Sequence, residues 1–353
     1  MRSSNVRSWM KMGAIALALV GCNNTPASTD GGHIPDDTNS GDAGSTAAPV
    51  SPGLTTTNGA AMASCIGTAT APAEGASIPI TMELDSFGTN GDTAHMVDVC
   101  FCPSNALSPE ALSADISMGC GQGCQHVTTD GSGNASLMAN TSGWYAYRVF
   151  AHTGPTQPTS FLDSVQINEV APATANGMVT GNAVSVQTAN VISEAELITR
   201  QTGTTTVAGR IFDCNGDDVR GGTIRAFHAD GTEIAESTET AGAHIRYFDG
   251  SETPDPSGTF TNTDGLYVIV NATPATAAEE IRVEAWGYTG TPSSCTSDAM
   301  CTGGTCNTDL GECVFPSVRI GCETIQALAN GVAIVNVGPL RSDYPAGHAC
   351  AAH

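Results

Sequence analysis

Thirteen cysteines are the most reactive side chains in this 353-residue chain. Cys22 stands near the N-terminus. The other twelve are Cys65, Cys100, Cys102, Cys120, Cys124, Cys214, Cys295, Cys301, Cys306, Cys313, Cys322 and Cys350. An even dozen in an exported chain reads as six disulfides. Cys100-x-Cys102 with Cys120-x3-Cys124 could also offer four thiolates to zinc. It lacks C-x2-C spacing, so two disulfides are expected there and no metal. Asp213-Cys214-Asn215-Gly216-Asp217-Asp218 opens like a calcium loop, but Asp218 stands where such a loop needs Gly, and Ile224 where it needs Glu. An Asn-Gly turn between strands explains it better, with calcium at Asp213–Asp217 the alternative. There is no H-E-x-x-H, no pair of histidines at i, i+4 and no G-x-S-x-G, and Lys11 is the sole lysine. A Walker-A lysine, a Schiff base or a Lys–Asn crosslink is therefore impossible beyond the first dozen residues. The expectation is a protein that is not an enzyme and has no cofactor. Trp144 and Tyr145, with Tyr147, Trp286 and Tyr288, could stack on sugars; strand alternation would instead bury every second ring.

The first residues, MRSSNVRSWMKMGAIALALVGC, place Arg2, Arg7 and Lys11 before a nine-residue apolar run, Met12 to Val20. That run is too short to span a bilayer. It ends in Leu19-Val20-Gly21-Cys22, which resembles the lipobox of bacterial lipoproteins. The resemblance implies cleavage after residue 21, lipid attachment at Cys22 and a membrane partner reached through that lipid. Asn23 in place of Asp favours the outer membrane. Residues 1–21 carry three basic residues and no acid, so the mature chain has nine Arg, no Lys and 35 acids, a net charge of −26. This excludes a basic nucleic-acid face and a polybasic lipid patch.

Residues 22–61 are rich in Ser, Thr, Gly, Asp and Pro and read as a flexible tether. Short β-like runs follow. Ser77 to Leu84 alternates; Met96 to Cys102 puts Val97, Val99 and Phe101 on one face and Asp98, Cys100 and Cys102 on the other. Trp144 to Phe150 is an aromatic strand with Trp144, Ala146 and Arg148 on one face, and Arg148 marks that face as the wetter one. These elements predict a first β-sandwich over 62–165. A connector over 166–204 contains one short helix capped by Ser193 with Glu196 three residues on.

The second β-region, 205–343, carries Gly209-Arg210-Ile211-Phe212-Asp213-Cys214-Asn215-Gly216 and Thr261-Asn262-Thr263-Asp264-Gly265-Leu266-Tyr267-Val268-Ile269. These resemble the strand–turn–strand signatures of the carboxypeptidase-regulatory-like, or prealbumin-like, β-sandwich family. The likeness covers roughly 205–290, resumes at 314–340, and implies an accessory sandwich without catalytic machinery. Thr129 to Ala135 is a looser echo in the first region. The insert 291–313 resembles small Cys-rich repeats of secreted bacterial lipoproteins. Cys295, Cys301, Cys306 and Cys313 allow three connectivities, and first-to-third with second-to-fourth is expected by analogy with compact knuckles. Residues 344–353 form a C-terminal tail. Counted this way, the first domain holds five cysteines and the second seven, so complete pairing needs a bridge between them. Cys214 with Cys322, and Cys350 with Cys65, are the expected pairs.

The sequence thus predicts an all-β chain of two sandwiches with a connector helix and a disulfide-rich insert. Its expected role is that of a non-enzymatic, lipid-anchored protein of the bacterial cell envelope, structural or interacting with an envelope protein. The alternative is a carbohydrate- or peptidoglycan-binding surface module.

Overall fold

The computed structural model describes residues 48–351, apart from 88–92, 104–106, 108–110, 114–115, 154–156, 159, 196–197 and 274–278. Cys22, the leader and most of the expected tether lie outside the described residues. The chain is all-β, with one α-helix among the described residues.

A nine-stranded sheet runs through both halves. Its order is Pro254–Asp255, His244–Phe248, Leu266–Ala272, Thr205–Arg210, Val332–Ile334, Ser164–Val170, Trp144–Val149, Asp98–Cys102 and Gln125–Thr128. The junction is the short strand Val332–Ile334. It inserts between Ser164–Val170 and Thr205–Arg210 and pairs parallel with both. All three of its residues are buried.

Two three-stranded sheets cover this long sheet on opposite faces, as cross-strand pairing shows. Phe101 and Tyr147 are partners, as are Tyr147 and Gln166; Phe101 and Tyr147 face the first core with Met82, Leu84 and Leu137. That core lies under Gly177–Val184, Ser77–Phe87 and Asn134–Asn140. The next residue along, Val165, therefore points the other way. It joins Val207, Ala333, Ile269 and Ile281 in the second core, under Thr223–Phe227, Glu280–Gly287 and Val318–Gln326. Each half of the long sheet thus has a sandwich partner in front and a back that needs its own cover.

The two backs are closed differently. Behind the first half, Cys100 and Cys102 point away from the first core, as the alternation predicts, and bond to Cys120 and Cys124. Together with Ala111, Ile116 and Phe150 they form a small core of their own. Arg148 shares this face. It is fully buried, against the expectation of a wet face. Its guanidinium donates to Asp163 at 2.7 Å and to the carbonyls of Ala111 and Ser113, and it lies over the Phe150 ring. A buried guanidinium persists because both of its terminal nitrogens have acceptors, Nη1 the two loop carbonyls and Nη2 the Asp163 carboxylate. Behind the second half lies the helix Val186–Ala195. Ala189 packs with Val184, Val332 and Ile334, and Ile192 with Phe248, Leu266, Val268 and Val270. Both faces of Leu266–Ala272 are thereby covered, and all seven of its residues are buried. A cavity of about 50 Å³ remains between helix and sheet, walled by Val184, Ala189, Ile192, Val268, Val270 and Val332.

Several expected boundaries move. The connector 166–204 contains strand as well as helix, since Ser164–Val170 and Gly177–Val184 pack on the first core. The helix is capped by Ser185, whose hydroxyl accepts the Thr188 N–H at 2.9 Å, and not by Ser193. Ser193 lies inside the helix and donates to the Ala189 carbonyl. Residues 48–61 are folded, although their composition reads as tether. Val50–Ser51 pairs with Pro316 and Phe315, Leu54 is buried in the second core, and the Ser51 and Ser317 hydroxyls bond at 2.8 Å. Few apolar side chains suffice because the segment borrows a core already built.

The free edge of Asn134–Asn140 is closed by a side chain. The Gln125 amide accepts the Met138 N–H at 2.9 Å and donates to its carbonyl at 2.7 Å, as a neighbouring strand residue would.

Candidate functional site

The two sandwiches meet at a polar joint built on a bulge in Ser164–Val170. The register against Trp144–Val149 shifts between Gln166 and Glu169. Asn168 absorbs the shift in a left-handed conformation, φ 64°, which Asn tolerates better than most residues. On the first-core face, the Tyr147 hydroxyl bonds the Gln166 amide at 2.5 Å, the Gln166 amide donates to Glu169, and Asn336 donates to Glu169 at 3.0 Å. Asn336 follows the inserted strand, so this chain of bonds ties one half to the other. Burial pushes the Glu169 carboxyl above the usual carboxylate range, against the pull of the Gln166 and Asn336 amides.

On the second-core face, Asn168 donates to Glu323, and the Tyr344 hydroxyl donates to the same carboxyl at 3.3 Å. Glu323 is nearly enclosed. Burial pushes it up to about 8, only partly opposed by the positive Arg341 and the Tyr344 and Asn168 bonds. Outside it, Arg341 lies over the Trp144 ring at 4.9 Å and the Tyr344 ring at 5.2 Å, and Tyr344 stacks on His348. Asp343 grips Arg341 through two bonds at 2.8 and 2.9 Å; the Arg341 hydrogen bonds hold its carboxyl down to about 2. The joint is a lock: amides satisfy the buried acids on both faces of one strand, and a cation–π stack seals the outer end.

The two glycan-contact candidates, Trp144 and Tyr145, lie on opposite faces of their strand. Tyr145 is 2% exposed and stacks on Phe101 in the first core. Trp144 faces the opposite side, under Arg341. Alternation separated these two side chains, and no adjacent-ring platform forms. Tyr288 stacks on Phe315 at 4.3 Å beneath the insert.

The turn at Asp213 is a backbone device. One carboxylate oxygen accepts the N–H groups of Asn215 and Asp217, and the other accepts that of Met62. Asp218 instead pairs with the buried Arg210 at 2.9 Å. Asp130 repeats the arrangement with Ser132 and Asn134, and Asp249 does so with Ser251 and Thr253. Two signature glycines answer to crowding: a Cβ at Gly209 would collide with the Val335 carbonyl. Gly265 has φ +66° and would meet the Ile211 carbonyl.

The disulfides correct the expected interdomain bridge. Cys65 bonds Cys214, and Cys322 bonds Cys350. No bridge between the units is needed, because Cys65 belongs with the second sandwich. The Cys65 segment packs on that sandwich, where the Cys214 N–H donates to the Met62 carbonyl at 3.0 Å. The first unit then holds four cysteines and the second eight, and each set closes internally. In the insert, Cys295 bonds Cys306 and Cys301 bonds Cys313, first to third and second to fourth. The joint itself was not singled out from the sequence. Its one local sign is Asn168-Glu169, two consecutive polar residues interrupting an otherwise alternating strand.

No family model matches the chain, and no curated protein matches it. Among solved structures, the Bacillus anthracis TIE protein is similar at 10% identity and TM-score 0.21, covering 74% of this chain and 34% of that one. A streptococcal ancillary pilin is similar at 12% identity and TM-score 0.19, covering 74% and 62%. The full-length major pilin SpaD of Corynebacterium diphtheriae follows at 9% identity and TM-score 0.19, covering 77% and 99%. The chain thus spans about a third of the first and under two thirds of the second. At these TM-scores the likenesses carry no argument about this chain, and the reading below rests on its own geometry.

Proposed function

We propose that this protein is a non-enzymatic structural module of the bacterial cell envelope, anchored by lipid at Cys22 and acting as a rigid spacer. The observation that carries the reading is the nine-stranded sheet that continues through both sandwiches. Two domains on a linker would pivot, because interdomain motion is the default for small polar interfaces. Here the hinge is replaced by ladder hydrogen bonds on both sides of Val332–Ile334 and by the joint around Asn168. The lipobox-like Leu19-Val20-Gly21-Cys22 supports the anchor, and the net charge of −26 for the cleaved chain supports a soluble surface facing an anionic envelope. The accessory-sandwich signatures support a role without catalysis. Among the described residues, no helix is long and apolar enough to cross a membrane.

Fractionation tests the anchor: Cys22→Ala should move the protein from the membrane pellet to the soluble fraction, and an unmoved pellet would refute it. Small-angle scattering of that soluble variant tests the spacer. One rigid body should fit the profile, whereas a profile needing two independently moving bodies would refute the role. A glycan array on the same variant addresses the sugar-binding alternative.

A further inference from the structure

The insert between Glu280–Gly287 and Val318–Gln326 has almost no apolar core. Its interior is sulfur: Cys295, Cys301 and Cys313 are buried with Phe315, and Cys306 and Tyr288 pack against them. The two disulfides cross, so four sulfurs from four points of one short loop gather in one place. The Sγ atoms of Cys295, Cys301 and Cys306 lie within 4.8 Å of one another. Cys313 Sγ is bonded to Cys301. Among the described residues, this is the group of three or more His, Cys, Asp or Glu whose ligand atoms converge so closely. The four cysteines behind the first half do not form such a group.

We propose that the insert is a latent zinc site. When a dithiol reductant opens both disulfides, Cys295, Cys301, Cys306 and Cys313 close on one Zn²⁺. Each disulfide takes two electrons and two protons from one dithiol, which leaves as its own disulfide, and four thiols result. Zinc then displaces four protons, and four Zn–S bonds replace two S–S bonds as the staples. A tetrahedral site with Zn–S of about 2.3 Å has sulfurs roughly 3.8 Å apart. Each bonded pair must therefore open by roughly 1.8 Å, the far sulfurs among Cys295, Cys301 and Cys306 close by up to roughly 1 Å, and Cys313 Sγ, which lies outside that group of three, closes by more. All are side-chain movements, and the strand pairing of Thr305–Asn307 with Glu312–Pro316 can stay in place. The stacked rings of Tyr288 and Phe315 form an apolar floor that shields the thiolates. The oxidised and the zinc-bound insert would thus hold one shape by two chemistries, one suited to an oxidising and one to a reducing environment.

The test uses the full chain carrying Cys22→Ala, reduced with dithiothreitol without denaturant, freed of excess reductant anaerobically and titrated with Co²⁺. One equivalent should bind with the absorption of a tetrahedral tetrathiolate, and Zn²⁺ should displace it. Cys301→Ser with Cys313→Ser should abolish that signal, and Cys100→Ser with Cys120→Ser should leave it. Absence of cobalt uptake, or uptake that persists in the Cys301/Cys313 variant, overturns the proposal. A second readout does not depend on how the variants fold. In the zinc-loaded parent, alkylation should spare the peptide spanning 295–313 and label it once a chelator is added; labelling before the chelator also overturns the proposal.

Discussion

The two halves of the long sheet face the same problem, since each has a second face that must leave water. The first half solves it with two disulfides and a buried, ion-paired arginine; the second solves it with a ten-residue helix and apolar side chains. The first cover is covalent and charge-locked. The second is held mainly by packing, with a side-chain hydrogen bond from Thr188 to the Phe87 carbonyl, and its packing leaves a cavity. A loop too poor in apolar residues to bury itself can still be pinned by crosslinks and hydrogen bonds. A helix with an apolar stripe needs fewer such pins and keeps some freedom.

If that contrast is right, the largest loss should come from the charged cover. Arg148→Ala would strand the partly buried Asp163 carboxylate and two loop carbonyls. A cost of roughly 3–5 kcal/mol is expected from denaturant unfolding; a cost near that of an exposed arginine would show the cover to be dispensable.

The joint that holds the halves together should respond to pH. Glu323 is raised to about 8 in the folded chain, and Glu169 is raised as well. Both therefore bind protons more tightly folded than unfolded. The Glu323 contribution is full below about pH 4.5 and is lost as pH rises toward 8, by up to about 1.4 kcal/mol per unit, and that of Glu169 is lost in the same direction. Melting temperature should fall between pH 5 and pH 9, and Glu323→Gln should flatten that fall. An equally steep fall in the variant would assign the pH response elsewhere.

Removing one staple sharpens the comparison further. Cys100→Ala with Cys120→Ala opens a loop of 20 residues' separation. About 3 kcal/mol is expected in the chain-entropy model. Because the crosslink lies behind the first half, hydrogen exchange should quicken in 98–128 and stay unchanged in 186–195. Uniform quickening would mean that the two covers are not independent.

The smallest effect should be a gain. Ala208 lines the cavity behind the helix. Ala208→Val adds two methyl carbons there, suits a strand, and should stabilise by about 1 kcal/mol if the space is usable. A loss would show that the helix already sits as close as the sheet allows.

Much of the fold was legible in the sequence. Period-two alternation put Val99 and Phe101 opposite Cys100 and Cys102. The errors share a cause, which is that alternation describes one strand and says nothing of what covers its other face. Arg148 reads as solvent-facing until a distant loop lands on it. Val50 to Leu54 reads as tether because its partners, Pro316 and Phe315, lie more than 250 residues away. Cys65 was paired wrongly for the same reason. The joint was hidden most deeply, because Asn168, Glu323, Asn336 and Tyr344 are unremarkable polar residues until Val332–Ile334 brings their elements together.

The Gln125 amide that occupies the edge of Asn134–Asn140 bears on life in a crowd. If the proposed anchor at Cys22 holds, the protein would meet its own copies at high two-dimensional density, each with the same side facing the same way. An open strand edge under those conditions is a template on which one copy can extend the next. With one backbone position already bonded to an amide of its own chain, a neighbour's strand finds no unbroken ladder to join. Gln125→Ala would restore that ladder, and the consequence would be a surface that polymerises as it fills.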